Sequence, residues 1–210
     1  MNKNTERNMK HLLTTFLTLL LTLPLYAQFN IAPHTHRVEL GDDIIIEYNA
    51  DYQQPVRAIY EITCPNGTES RSGMDFYVPK DINFHTSDDD DYSNNIWDKG
   101  HLAPAAAFSC TEEELKTTFS YLNSSLQHEG LNRGTWSRLE SFERNLAVFY
   151  PDLLVEIHVL FGEGVEELPT GALVPTGFRK ILFFDGKSHV FEFPNESTTG
   201  TDFMDYYIQK

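Results

Sequence analysis

The chain has 210 residues, 40% of them apolar, enough for one sizeable core and no clear second one. Its formal charge is −15. That argues against a repressor or packaging protein, which would grip nucleic acid over a broad basic surface. It leaves room for an enzyme with a locally positive cleft, where a bound metal ion adds positive charge of its own.

The first segment stands apart. Lys3, Arg7 and Lys10 precede an apolar run from Leu12 to Leu25, which ends at Leu25-Tyr26-Ala27. A basic start, a short apolar centre and a small-residue end describe a secretory signal peptide over residues 1–27, too short for a membrane span. An uncleaved N-terminal anchor is the rival reading. Residues 1–27 carry three basic residues and one acidic, so their removal takes the formal charge from −15 to −17. Export, periplasmic or secreted, implies an oxidising compartment in which Cys64 and Cys110 could pair; they could equally be two separate core residues.

Residues 28–42 read as an exposed lead-in and residues 43–210 as the working domain. His34 and His36 could share a metal on a strand, but such a pair is more often a surface coincidence. Asp43–Tyr48 and Val56–Thr63 are strand-like, rich in β-branched and aromatic residues. The four aspartates Asp88 to Asp91 read as a self-repelling solvated loop rather than a calcium site, because no EF-hand spacing follows. Thr111 with Glu114 is a capping box that starts a helix. A second helix is expected from Asn132 to about Val148. Strand-like runs follow at Leu153–Phe161, Phe178–Phe184 and His189–Phe193. Strands, then helices, then strands suggest an α+β single domain around a central mixed or antiparallel sheet.

Two segments carry the chemistry: Asp98-Lys99-Gly100-His101-Leu102-Ala103-Pro104, and Leu131 to Glu140 with Arg144 beyond. One histidine, one asparagine and one glutamate do not make a zinc site. Amide, carboxylate and water suit hard Mg²⁺, and a lone histidine beside it is better used as a proton acceptor. On one straight helix, Asn132, Trp136, Glu140 and Arg144 recur every four residues and share a face. Asn132 and Glu140 would then lie about 12 Å apart along the axis. That suits a direct Asn132 ligand, a Glu140 that reaches the metal through water, and an Arg144 that forks onto a phosphate. The same spacing also describes an ordinary amphipathic helix with Glu140–Arg144 as a surface pair.

At these residues the chain resembles the DNA/RNA nonspecific endonucleases of the ββα-metal (His-Me finger) superfamily, the group of Serratia nuclease and endonuclease G. The family pattern Asp-Arg-Gly-His-x-Ala-Pro falls on Asp98–Pro104. Asn-x-x-Pro-Gln falls on Asn123–Gln127, and Leu-Asn-x-x-x-Trp-x-x-Leu-Glu on Leu131–Glu140, with the arginine at Arg144. Val174–Lys180 and Phe191–Asn195 resemble later family segments, and Arg71 loosely matches an upstream arginine.

The resemblance implies a ββα-metal motif with His101 as general base. It implies Asn132 as the direct Mg²⁺ ligand, Glu140 as the carboxylate holding metal-bound water and Arg144 as a phosphate-stabilising group. Asn123 and Gln127 would support the site, and Lys99 and Arg71 would lie on the substrate side. Mn²⁺ is expected to substitute for Mg²⁺. Substrates would be DNA and RNA, cut without sequence preference to 5′-phosphate products, with no stable membrane association and a monomer or homodimer as the working form. Lys99 stands where the family has Arg, which keeps the charge and loses the bidentate fork. Leu126 replaces a Pro, and Glu163 replaces the Pro after Gly162. A catalytically inactive interaction protein on the same scaffold is the alternative.

Overall fold

The computed structural model describes residues 33–208. The leader reading for residues 1–27 lies outside them. Nine strands form in chain order: β1 Thr35–Leu40, β2 Ile44–Asn49, β3 Gln54–Glu61, β4 Trp97–His101, β5 Ser124–His128, β6 Leu154–Leu160, β7 Gly177–Phe184, β8 Lys187–Pro194 and β9 Tyr207–Ile208. The longer helices are α1, Glu112–Thr118, and α2, Ser137–Ala147. Seven strands make one sheet in the order β1-β2-β3-β6-β7-β8-β9, with every neighbouring pair antiparallel. Strands β4 and β5 pair only with each other.

The large sheet follows from period-two patterning. Ile44, Ile46 and Tyr48 of β2, Val155, Ile157 and Val159 of β6, and Phe178 and Leu182 of β7 are buried on one face. Helix α2 packs there through Leu139 and Ala147, with Trp136 just before it wedged against Phe178 and Phe193. Two charged residues join this inner layer, Glu143 of α2 and Lys180 of β7, both fully buried.

Two expectations are corrected and one is refined. The lead-in assigned to residues 28–42 is mostly exposed where it is described, but it is ordered. Thr35–Leu40 forms edge strand β1, registered Thr35 opposite Asn49 through Leu40 opposite Ile44. Its polar sequence hides this because only one of its faces meets the core. His34 contacts Asp51 at 2.7 Å, and His36 stacks on Phe84, so neither turns toward a shared ion.

The helix expected from Asn132 is not continuous. A short turn at Glu129–Leu131 leads into a wide π-type turn at Asn132–Trp136, broken at Gly134 (φ −102°, ψ −114°), before α2 begins. Thr198 packs into this break: its Oγ1 is 2.7 Å from Thr135 Oγ1 and accompanies Gly134 on the side where a Cβ would sit. Straight-helix spacing therefore does not relate Asn132 to Glu140.

The aspartate run is not a loose loop. Asp89–Tyr92 is a 3₁₀ turn capped by Asp88, whose side chain accepts from Asp90 N, while Asp91 is buried and accepts from Asp88 N at 2.8 Å. Backbone donors and the single turn absorb the repulsion that the bare sequence suggests.

Strands β4 and β5 escape the strand pattern because they hold few β-branched residues. They are fixed by mutual register instead, Trp97 opposite His128 through His101 opposite Ser124. Gly100 is required here. A Cβ on it would lie 2.4 Å from Gln127 Oε1 and 2.6 Å from Gln127 Cβ. Cys64 and Cys110 are joined in a disulfide, Cα to Cα 5.7 Å.

Candidate active site

Hairpin β4–β5 and the helical segment after it converge on a cleft of about 480 Å³. His101 ends β4. Asn132 opens the broken turn, and Glu140 and Arg144 project from α2 one turn apart. All four line this cleft, together with Arg71, Lys99 and Arg133. The face imagined for a straight helix splits: Trp136 turns into the core, while Glu140 and Arg144 stay at the cleft beside the buried stripe Leu139, Glu143 and Ala147.

The His101 ring is held between Phe76 and Phe119, with centroids at 4.9 and 5.0 Å. Its Nε2 is buried and has no hydrogen-bond partner. Burial strips water from the imidazolium and the charge of Arg71 adds to this, so the pKa is pushed down to about 4. A free imidazole would titrate near neutrality. The structure instead holds the ring firmly neutral, and an anionic substrate in the cleft would raise its proton affinity. The loop after His101 is pinned by Asn123. That buried amide accepts from Ala103 N at 2.9 Å and donates to the carbonyls of Ala103 and Thr118, both at 2.9 Å. Asn123 thus braces the loop. Gln127 packs against Gly100, lies outside the cleft lining, and leaves both amide atoms unpaired.

Asn132 donates Nδ2–H to Asp98 Oδ2 at 2.8 Å. Asp98 also takes a two-pronged bond from Arg133, at 2.9 Å from Nε and 2.6 Å from Nη2. With its NH₂ committed, Asn132 presents its carbonyl oxygen, a hard-cation donor, in a fixed direction. Sequence reasoning quoted Asp98 within its motif and gave it no role. It lies 34 residues from Asn132, so spacing offered no signal. If that orientation matters, Asp98→Ala should raise the Mg²⁺ concentration giving half-maximal nuclease activity by about 10- to 100-fold. An unchanged metal titration would remove Asp98 from the account.

Glu140 is pushed up to about 7, chiefly by burial and further by the neighbouring Glu143, against the opposing pull of Lys180 and Arg144. The Trp136 indole N–H also favours its charged form, though the contact falls short of hydrogen-bond geometry. Arg144 braces itself on α2, donating to Glu140 O at 3.3 Å and Ser141 Oγ at 3.2 Å. Among the described residues, no three His, Cys, Asp or Glu side chains gather into a metal cluster. A metal in this cleft must therefore lean on an amide oxygen, one carboxylate and water. That donor set fits Mg²⁺, and a desolvated Glu140 fits a site that gains positive charge on loading.

A hairpin ending in a half-buried histidine, a broken turn bearing an oriented amide and a helix bearing a desolvated carboxylate thus meet at one cleft. Similarity gives the family. The family model for DNA/RNA non-specific endonucleases matches residues 28–206, and the chain belongs to that family. It is similar to mitochondrial endonuclease G of Bos taurus, 31% identical over 131 residues, covering 57% of this chain and 44% of that protein. It is similar to nuclease C1 of Cunninghamella echinulata var. echinulata, 34% identical over 103 residues, covering 44% of this chain and 41% of that one. The mitochondrial nuclease of Saccharomyces cerevisiae is 28% identical over 169 residues, covering 70% of this chain and 50% of that one. The chain thus spans about half the length of these relatives or less. The fold is also that of a chain in a crystal structure of the EndoG/EndoGI complex, with a TM-score of 0.71 and 22% identity, covering 84% of this chain and 80% of that one.

Proposed function

We propose that this chain is an exported, Mg²⁺-dependent, sequence-nonspecific endonuclease that hydrolyses DNA and RNA to 5′-phosphate products. Members of its family are typically metal-dependent. The observation that carries the reading is His101, half-buried between Phe76 and Phe119, in a cleft lined by four cationic side chains and a single carboxylate, Glu140. Lys99 and Arg133 are paired with Asp89 and Asp98, which leaves Arg71 and Arg144 as the cations where an anionic backbone would lie.

Asn132 Oδ1 would hold Mg²⁺ directly, and Glu140 would hold it through water. Bound there, the ion would supply positive charge to the phosphate and the leaving oxygen. His101, neutral at physiological pH, accepts a proton from the attacking water as its oxygen bonds to phosphorus. The bond from phosphorus to the 3′ oxygen breaks, that oxygen takes a proton from water and leaves as the 3′-hydroxyl, and the phosphate stays on the 5′ oxygen of the other fragment. Arg144 and Arg71 sit where they can offset the growing charge on the phosphate oxygens. Phe76 and Phe119 keep bulk water from the imidazole and fix its plane.

Export rests on the leader pattern of residues 1–27 together with the Cys64–Cys110 disulfide, which suits an oxidising compartment. No helix among the described residues is long and apolar enough to cross a membrane. The test is incubation of the purified protein with plasmid DNA and with RNA in Mg²⁺, with EDTA alongside. Degradation of both substrates that stops with EDTA is expected. Intact nucleic acid in both Mg²⁺ and Mn²⁺ would leave only a binding role for the fold.

A further inference from the structure

Lys99 lines the cleft, but its ammonium is already engaged. Nζ donates to Asp89 Oδ1. The Tyr121 hydroxyl donates to the same oxygen at 2.5 Å. Around Nζ stand the rings of Phe76, Tyr92 and Tyr121, with centroids at 5.4, 5.8 and 5.2 Å. A cation in an aromatic collar thus holds one anionic oxygen at the mouth of the cleft. The Asp89 side chain is 81% exposed, so the carboxylate is reachable from solvent.

Asp89 is placed rather than drifting. It is the first residue of the capped 3₁₀ turn, and the turn is moored on the hairpin side. Tyr92 OH meets Ser124 Oγ at 3.2 Å, and Asn95 Nδ2 donates to Asp91 O at 2.8 Å. Lys99 first and Tyr121 second hold the Asp89 carboxyl below the usual carboxylate range, so it is an anion at neutral pH. A carboxylate oxygen and a phosphate oxygen present the same chemistry to an ammonium, and lysine binds either as a point charge.

We propose that Asp89 stands in for a substrate phosphate: it occupies Lys99 in the free protein, and nucleic acid must displace it to engage that lysine. Asp89 then sets the affinity of the cleft. The inference rests on the nuclease reading above.

The test uses a fluorescein-labelled single-stranded oligodeoxynucleotide with Mg²⁺, bound to the His101→Ala protein so that it is not cut. Anisotropy gives Kd across a salt series. Adding Asp89→Asn, which keeps the shape and an acceptor for Tyr121, is expected to tighten Kd about 3- to 10-fold and steepen the log–log salt slope by about 0.7, the signature of one more phosphate contact to a single strand. Asp90→Asn removes the same formal charge one residue away, on an exposed side chain that does not touch Lys99. It is expected to change neither the slope nor Kd beyond about twofold. Adding Lys99→Met to Asp89→Asn should erase the gain. If Asp89→Asn behaves like Asp90→Asn, weakens binding, or keeps its gain without Lys99, Asp89 is only a latch on the turn and the proposal is overturned. Absence of oligonucleotide binding by the His101→Ala protein would overturn it as well. Wild-type cleavage is scored separately, so a failed nuclease reading is not confused with a failed Asp89.

Discussion

His101→Ala is expected to slow plasmid cleavage in Mg²⁺ by about 10²- to 10⁴-fold, the usual worth of a positioned general base. The fold should survive, because the ring caps the end of a hairpin strand and crosses no part of the main sheet core. The same substitution has a second readout that does not depend on activity. The folded-state pKa of His101, about 4, lies below the free value of 6.5. Above pH 6.5 the ring is neutral in both states, and its contribution to stability is fully present. As pH falls from 6.5 toward 4, the unfolded chain binds a proton that the fold refuses, so stability is lost across that window. The size is on the order of 3 kcal/mol. In His101→Ala this component of the acid-side loss should vanish, leaving a pH-independent cost for the missing ring. Melting temperatures at pH 7 and pH 4.5 compare the two proteins; parallel falls in both would mean that His101 is solvated and charged.

Lys180→Met should produce the largest loss of stability. Lys180 Nζ lies 2.9 Å from Glu143 Oε1, 3.5 Å from Tyr60 OH and 4.1 Å from the Trp136 ring centroid, and neither charged side chain has any exposure. Tyr60 donates to Glu143 Oε2 at 2.9 Å. Removing the ammonium leaves Glu143 in the core with one phenol for company, at a cost of about 3–5 kcal/mol. For a domain of this size that corresponds to a fall in Tm of roughly 6–20 °C. Adding Glu143→Leu should restore much of it, because an apolar pair of similar volume replaces a buried ion pair at little or no cost. Calorimetry of the two variants decides: additive losses would mean that the pair is not acting as a unit. The pair also lies beneath Glu140, one turn from Glu143 on α2, and Lys180 is the largest influence lowering that carboxyl.

The sequence made the inner sheet legible because its strands are rich in β-branched and aromatic residues, and in β6 Val155, Ile157 and Val159 alternate with Glu156 and His158. His101, Asn132, Glu140 and Arg144, singled out from the sequence, do line one cleft. The geometry joining them was not legible. The break at Gly134 depends on Thr198, a residue far along the chain, and no local pattern announces it. Hairpin β4–β5 was hidden because its cohesion lies in cross-strand register and in Gly100 fitting against Gln127. Asp98 and Lys180 were missed for one reason: each is paired with a residue distant in sequence, and a single chain carries no trace of that; Asp89 was read only as one charge in an acidic run. Lys99 was read as a substrate contact. The structure places it at the cleft but already bound to Asp89.

Strands β3 and β6 are neighbours in the sheet, with Glu61 opposite Leu154. The hairpin, α1, the broken turn and α2 all lie in the chain between those two residues. The chemistry is therefore housed in a single excursion whose ends are held one strand spacing apart. Bringing such ends together costs about 4 kcal/mol in chain entropy beyond a constant. The Cys64–Cys110 bridge spans 46 residues within that excursion and, once formed, shortens the loop that the sheet must close. The rate at which the oxidised chain reaches its native register is thus tied to a covalent bond formed outside the sheet, and a reduced chain must complete the same pairing with a longer search.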